Sequence, residues 1–280
     1  IFLFNRLNHL KIYRFPKDWK YIFTGDGVNF RQQWMEGNKE LPKFTHEGKN
    51  KKKFVREMFN DISSNYDFLN HFLSLGIDIY WRKKFVRKLN ISHGDHIADI
   101  ACGTGDVCFE ILRNHKANVT GIDLAENMIS IASKKAQKKQ VENVQFLVGD
   151  AEALPLESNS VDFLTISYGF RNIAHYEKAI EEFLRVLKPG GMLGILEFSK
   201  PKNSWLGSLF TFYFHQVLPR LGSLFSRSDA YRYLPESVDF FPSREDICRK
   251  LIYGGFHRAE IHDLTLGIST IFLGFKSHEY

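Results

Sequence analysis

The sequence predicts an α/β fold, Rossmann-like in its winding: a seven-stranded, mostly parallel sheet with N-terminal helices and a helical lid insertion. Three observations carry this prediction. After residue 95, short apolar runs alternate with helical-period segments of about 10–15 residues, the pattern of βαβ units with both sheet faces covered. The first run, His96–Ile100, leads through a Gly-Thr-Gly loop into a helix. Hydrophobic residues make up 44% of the 280, enough for one full core under such a sheet.

Taken in order, Phe54, Val55, Met58, Phe59 and Ile62, then Ile77, Trp81, Phe85, Val86 and Leu89, recur at helical spacing, and Gly76 divides two helices. Residues 107–114 form the helix after the first strand. A second strand lies in 117–125, and 126–140 is a helix with a basic outer face. The third strand lies in 143–156 and the fourth in 161–170. A helix over 175–187 and a turn at Lys188–Gly191 precede the fifth strand, 191–199. Residues 201–240 are aromatic-rich and fit the alternation poorly, so they read as the helical insertion. Ser243 caps a further helix whose first turn carries Glu245 and Asp246. Strands near 257–263 and 268–275 close the sheet. Right-handed crossovers place a ligand crevice at the carboxyl ends of the strands.

Residues 1–53 hold 12 basic and 5 acidic side chains, leaving 26 against 27 in the remainder. The domain is therefore nearly neutral, which argues against a nucleic-acid partner. Residues 1–17 are basic and free of acids, and Phe2, Phe4, Leu7, Leu10 and Tyr13 could share one helical face, as in an organellar transit peptide. The chain begins with Ile, so the true start is expected upstream. Residues 18–53 read as a linker ending in a solvated charge run, with the folded domain from Phe54 to 280. No apolar run reaches the length of a transmembrane helix. Cys102, Cys108 and Cys248 form no disulfide framework or metal template.

Asp99 and Asp106 bracket Gly103-Thr104-Gly105, and Cys108 stands where a dinucleotide fingerprint needs its third glycine. Carboxylates there repel a pyrophosphate and suit a cationic ligand such as S-adenosylmethionine. Asp123, followed by Leu124, ends the second strand and can accept both ribose hydroxyls. Asp150-Ala151, after the third strand, can meet an adenine amine, and Ser167 ends the fourth strand on the same crevice. Together these indicate a class I S-adenosylmethionine-dependent methyltransferase. No Asn/Asp-Pro-Pro-aromatic motif for amino methylation follows Ser167, and no carboxylate cluster for a catalytic metal is apparent.

The chain closely resembles the ubiquinone/menaquinone biosynthesis C-methyltransferase family. The resemblance rests on Tyr66-Asp67-Phe-Leu-Asn70-His-Phe-Leu-Ser74-Leu-Gly76 leading to Trp81-Arg82, and on Tyr168–Asn172. It also rests on Arg185-Val-Leu-Lys-Pro-Gly-Gly through Leu196-Glu197-Phe198-Ser199, and on Tyr231-Arg232-Tyr233-Leu234 with Glu236-Ser237. It spans roughly residues 54–275, with Phe170, Leu69 and Cys102 as small departures.

The resemblance implies methyl transfer to a ring carbon of a polyprenylated benzoquinol. The leader favours 2-methoxy-6-polyprenyl-1,4-benzoquinol in ubiquinone biosynthesis, in the mitochondrial matrix and peripheral on the inner membrane. Implied partners are other quinone-biosynthesis proteins in a complex, and a homodimer. Rival readings are demethylmenaquinol, a sterol or small phenol as acceptor, and a non-catalytic binding subunit.

A ring carbon attacks only once a phenol is ionised, so Arg171 is expected to stabilise the oxyanion and Asn172 to position the ring. Tyr66 is expected to hydrogen-bond the quinol or a water. Phe59, Leu69, Phe72, Phe210, Phe212, Phe214 and Leu218 are candidates for a tail channel, though they suit a core or a dimer face equally. Lys200, Lys202, Arg220 and Arg227 rim the insertion as candidates for membrane contact.

Overall fold

The computed structural model describes residues 11–14, 48–201, 204–218, 220 and 230–278. Helices α1 (Gly48–Ile62), α2 (Tyr66–Leu73) and α3 (Ile77–Lys88) precede the α/β alternation. That alternation runs β2 (His96–Ile100), α4 (Asp106–Asn114), β3 (Asn118–Asp123), α5 (Glu126–Lys139), β4 (Val144–Val148), β5 (Val161–Ser167), α6 (Tyr176–Val186) and β6 (Leu187–Phe198). The insertion supplies α7 (Ser204–Phe212), prolonged by a π-turn, and α8 (Ala230–Asp239). Helix α9 (Arg244–Tyr253) and strands β7 (Arg258–Leu264) and β8 (Ser269–Phe275) complete the domain.

The sheet order is β1-β7-β8-β6-β5-β2-β3-β4, with β1 being Lys11–Arg14. Strands β4, β3, β2, β5 and β6 are mutually parallel, and β8 runs antiparallel between β6 and β7. These are the seven expected strands. Strand order reverses between β2 and β5, which opens the crevice there. Core side chains fill both faces: Phe183, Ile247 and Phe272 belong to one cluster, and Phe85, Leu89 and Ile111 to another.

Several expectations are corrected. An eighth strand, β1, pairs antiparallel with β7, so Tyr13 lies in a strand and not on a helical face. The rest of the proposed leader and nearly all of the linker lie outside the described residues. Helix α1 begins at Gly48, before Phe54, because Lys51 and Lys52 find partners inside the domain (below). A one-turn 3-10 helix, Ser63–Asn65, separates α1 from α2, giving three N-terminal helices where two were expected. The turn at Lys188–Gly191 is a bulge within β6: Val161 pairs Leu187 while Phe163 already pairs Met192. The helix cap holds, since Ser243 Oγ accepts the Asp246 N–H at 3.1 Å.

Candidate active site

Strand β2 delivers the chain into a loop whose backbone turns left-handed at Ala101 (φ 51°), Gly103 (φ 55°) and Gly105 (φ 89°). Gly105 then opens α4, and a Cβ there would sit 3.0 Å from both Phe109 and Phe146. The loop is held to the neighbouring strand: the Gly103 N–H donates to Asp123 Oδ2 at 2.8 Å, and the Ala125 N–H to Asp123 Oδ1 at 2.9 Å. Burial raises the Asp123 pKa, and these backbone donors partly offset it. The Gly149 N–H donates to the Asp123 carbonyl, setting Asp150 beside Asp123 at adjacent strand ends.

Asp99 is 1% exposed, with Thr165 Oγ1 donating at 2.6 Å and the Cys108 thiol at 3.3 Å. Burial lifts its pKa to about 7 despite those donors.

A cavity of about 490 Å³ opens at this loop and at the end of β5. Tyr66, Asp99, Gly103, Thr104, Ser167 and Arg171 all line it, so the structure brings these expected residues together. Among the described residues, Ser167 Oγ is the one buried side-chain polar atom with no hydrogen-bond partner. An orphaned hydroxyl at a cavity wall marks a place for a ligand's polar group.

Directly after Ser167, Tyr168 (φ 56°) and the 3-10 turn Phe170–Asn172 present Arg171. Its Nη1 donates to Glu197 Oε1 at 2.7 Å and to the Tyr168 carbonyl at 2.5 Å, and its Nε to Ser237 Oγ at 3.2 Å. Glu197 is fully buried and Arg171 is 7% exposed, so the guanidinium is both cationic and fixed. Tyr66 packs over the glycine loop, 3.6 Å from where a Gly103 Cβ would stand, and burial raises its hydroxyl pKa, keeping it a donor.

Other expected residues fall elsewhere. Asn172 does not line the cavity. Its Oδ1 accepts from the Tyr233 hydroxyl at 3.1 Å, which makes it a brace of the turn. Gly105, Asp123, Leu124, Asp150 and Ala151 also lie outside the cavity wall, at the loop's helix and at the ends of β3 and β4. Asp150 is already paired with Lys52 at 2.5 Å, so an adenine amine would share it.

Of the tail-channel candidates, Phe59, Phe210, Phe214 and Leu218 line the cavity. Leu69 is buried in a small core, while Phe72 and Phe212 are 43% and 59% exposed. Of the basic rim, Lys200 pairs with Asp239, Arg220 bonds Gln216, and Lys202 and Arg227 lie outside the described residues.

Sequence reasoning missed the polar network at the loop. Arg82, from α3, reaches Asp78 Oδ2 at 2.5 Å and Asp106 Oδ2 at 3.2 Å, while Lys135 pairs with Asp67 and, at 3.5 Å, with Asp106. The Asp106 charge is therefore balanced within the protein, which weakens the case for a purely acidic loop. Lys135, expected on an outer face, turns inward. Burial works against the Asp78 charge, but Arg82, Ser74 and His71 outweigh it and hold its pKa below the usual carboxylate value. The signal available in sequence is Trp81-Arg82, part of the segment that carries the family resemblance.

The sequence model of the ubiE/COQ5 methyltransferase family matches residues 46–276. The chain belongs to this family. It is 41% identical over 225 residues to the Ubiquinone/menaquinone biosynthesis C-methyltransferase UbiE of Geotalea daltonii, covering 79% of this chain and 96% of the relative. It is 38% identical over 247 residues to the Demethylmenaquinone methyltransferase of Chlorobaculum tepidum, covering 86% of this chain and all of that one. A solved S-adenosylmethionine-dependent methyltransferase of Thermotoga maritima shares the fold, with a TM-score of 0.57 at 23% identity over 79% of this chain and 99% of that one.

This ubiE/COQ5 chain is thus an S-adenosylmethionine-dependent C-methyltransferase. The residues present fit the cofactor. The left-handed loop leaves Gly103 free of a Cβ at the cavity, and Ser167 Oγ is unpartnered at the end of the neighbouring strand β5.

Proposed function

We propose that this enzyme methylates a ring carbon of 2-methoxy-6-polyprenyl-1,4-benzoquinol. The single observation that carries the reading is the lining of the cavity. The glycine loop, Ser167, Arg171 and Tyr66 give it polar groups, and Leu73, Phe210, Phe214, Leu218 and Leu234 give it apolar wall. A polar ring and an isoprenoid tail fit that combination of surfaces.

The glycine loop and Ser167, which line the cavity, and Asp123 and Asp150 at the adjoining strand ends would hold S-adenosylmethionine, which would supply an electrophilic methyl group. The protein's task is to make the ring carbon nucleophilic and to aim it. Arg171, charged and locked by Glu197 and Ser237, stabilises the phenolate oxygen electrostatically. An arginine at this pH does not take the proton itself. Tyr66 donates to the ring or to an intervening water. Insertion residues Phe210, Phe214 and Tyr233 shield the site from bulk water. A location on the mitochondrial inner membrane is part of the same proposal, supported only by the basic, acid-free residues 1–17.

The second reading, demethylmenaquinol as acceptor, is favoured by the Chlorobaculum tepidum relative's name. The test is methyl transfer under reducing conditions to short-tailed forms of both quinols, with mass spectrometry locating the methyl group. Ring methylation of the methoxy-benzoquinol with higher kcat/KM supports the first reading. Preference for the naphthoquinol installs the second, and cofactor binding without either product favours a binding subunit.

A further inference from the structure

We infer that Lys51, in the first turns of α1, is a positioning residue for Arg171, acting through the backbone of the turn that carries it. This rests on the role of Arg171 given above. By sequence, Lys51 sits in a Lys-Asn-Lys-Lys-Lys run that suits a solvated surface. In the structure it is 3% exposed. Its ammonium donates to the carbonyl oxygens of Arg171 and Ile173, both at 2.8 Å, across 120 and 122 residues of sequence. It also stands 5.8 Å from the centre of the Tyr176 ring.

The turn needs such a partner. Within Phe170–Asn172, the Asn172 N–H is taken up by the Gly169 carbonyl and the Ile173 N–H by the Phe170 carbonyl, while the Arg171 N–H goes to Glu197. The carbonyls of Arg171 and Ile173 receive no backbone donor in this turn, and Tyr176 offers Arg171 only a 3.4 Å contact. A buried carbonyl left without a donor is costly, and two of them flanking Asn172 would let both peptide planes swing.

One ammonium bridging the two fixes those planes, and with them the Cα of Arg171 against Glu197. Charge-assisted donors are about twice as strong as neutral ones, which suits a turn already strained at Tyr168. The next residue, Lys52, pairs with Asp150 and Glu152, so α1 is seated at both strand ends and Lys51 is delivered with little freedom.

The test compares Lys51→Met, Lys51→Arg and, as a control on the same helix, the exposed Lys53→Met in the full chain. Hydrogen exchange across residues 168–174 reads the turn directly and does not depend on which acceptor is correct. The expected result is faster exchange there, by about tenfold, in Lys51→Met, with the sheet and α1 unchanged and Lys53→Met near wild type. Methyl transfer should show kcat lowered about 10- to 100-fold with S-adenosylmethionine affinity retained, and partial recovery in Lys51→Arg.

Unchanged exchange over 168–174, or a rise spread evenly over the whole domain, would overturn the inference. So would an unchanged kcat for Lys51→Met. If wild type methylates neither quinol, the reading of the substrate fails, and the exchange data still decide whether Lys51 holds the turn.

Discussion

Replacing Glu197 by glutamine tests the lock on Arg171 with almost no change of shape. Glu197 has no solvent exposure, and it accepts from Arg171 Nη1 at 2.7 Å, from the Arg171 N–H at 3.2 Å and from the Phe198 N–H at 2.9 Å. Removing one partner of a buried ion pair costs about 3–5 kcal/mol, and glutamine keeps one acceptor oxygen, so the expected loss is about 2–4 kcal/mol. In a domain of this size that corresponds to a fall in Tm of roughly 5–15 °C. Thermal unfolding followed by circular dichroism measures it, and kcat should fall with it as the guanidinium loses its fixed place. The double variant Glu197→Gln with Arg171→Met should recover stability relative to Glu197→Gln alone, because it removes the stranded charge. A Tm within about 2 °C of wild type, or a double variant that simply sums the two losses, would refute the reasoning.

Three further outcomes follow from the site. Ser167→Ala should leave Tm unchanged, since its hydroxyl has no partner to lose, but weaken S-adenosylmethionine binding about 3- to 10-fold by calorimetry; equal affinity would remove Ser167 from the cofactor site. Asp99, with a folded-state pKa raised from 3.8 to about 7, binds its proton more tightly in the folded than in the unfolded chain. Its contribution should therefore make stability fall as pH rises from about 4 to 7, by a few kcal/mol at about 1.4 kcal/mol per unit. That contribution should be lost in Asp99→Asn, seen as a difference between the two profiles of Tm over that window, and identical profiles would assign the slope elsewhere. Gly169→Ala places a Cβ 2.5 Å from that of Ala101, so the glycine loop and the Arg171 turn must separate. A loss of about 1–3 kcal/mol with reduced cofactor affinity is expected, and a silent variant would show the two segments to be independent.

Local pattern made most of the fold legible. The period of each strand and helix, the glycine loop and the Ser243 cap depend on residues close in sequence, and these hold. Strand ends also brought Asp123, Asp150 and Ser167 to one side of the sheet, because right-handed parallel winding leaves no other arrangement. Pairing across distance was not legible. Nothing near Lys51 announces two carbonyls more than a hundred residues away, and a run of lysines is ordinarily solvated. Asn172 looked like a donor to substrate because it neighbours Arg171, but a 3-10 turn sends adjacent side chains in different directions, and Tyr233 takes its amide oxygen. Leu69, Phe72 and Phe212 were grouped by apolar character alone, whereas helical phase sends Leu69 into a core and leaves the other two exposed. Strand β1 was hidden because a basic, aromatic stretch carries no clear period over four residues.

Under the proposed function, a fixed Arg171 beside the glycine loop activates a quinol ring for carbon methylation. The most direct measurement is single-turnover transfer from labelled S-adenosylmethionine to a short-tailed 2-methoxy-benzoquinol, comparing wild type with Arg171→Ala at equal cofactor saturation. The expected result is a carbon-methylated product in wild type and a chemical step slowed about 100- to 1000-fold in the variant, with cofactor affinity retained. Transfer at the wild-type rate by Arg171→Ala, or a methyl group found on a ring oxygen, would contradict it.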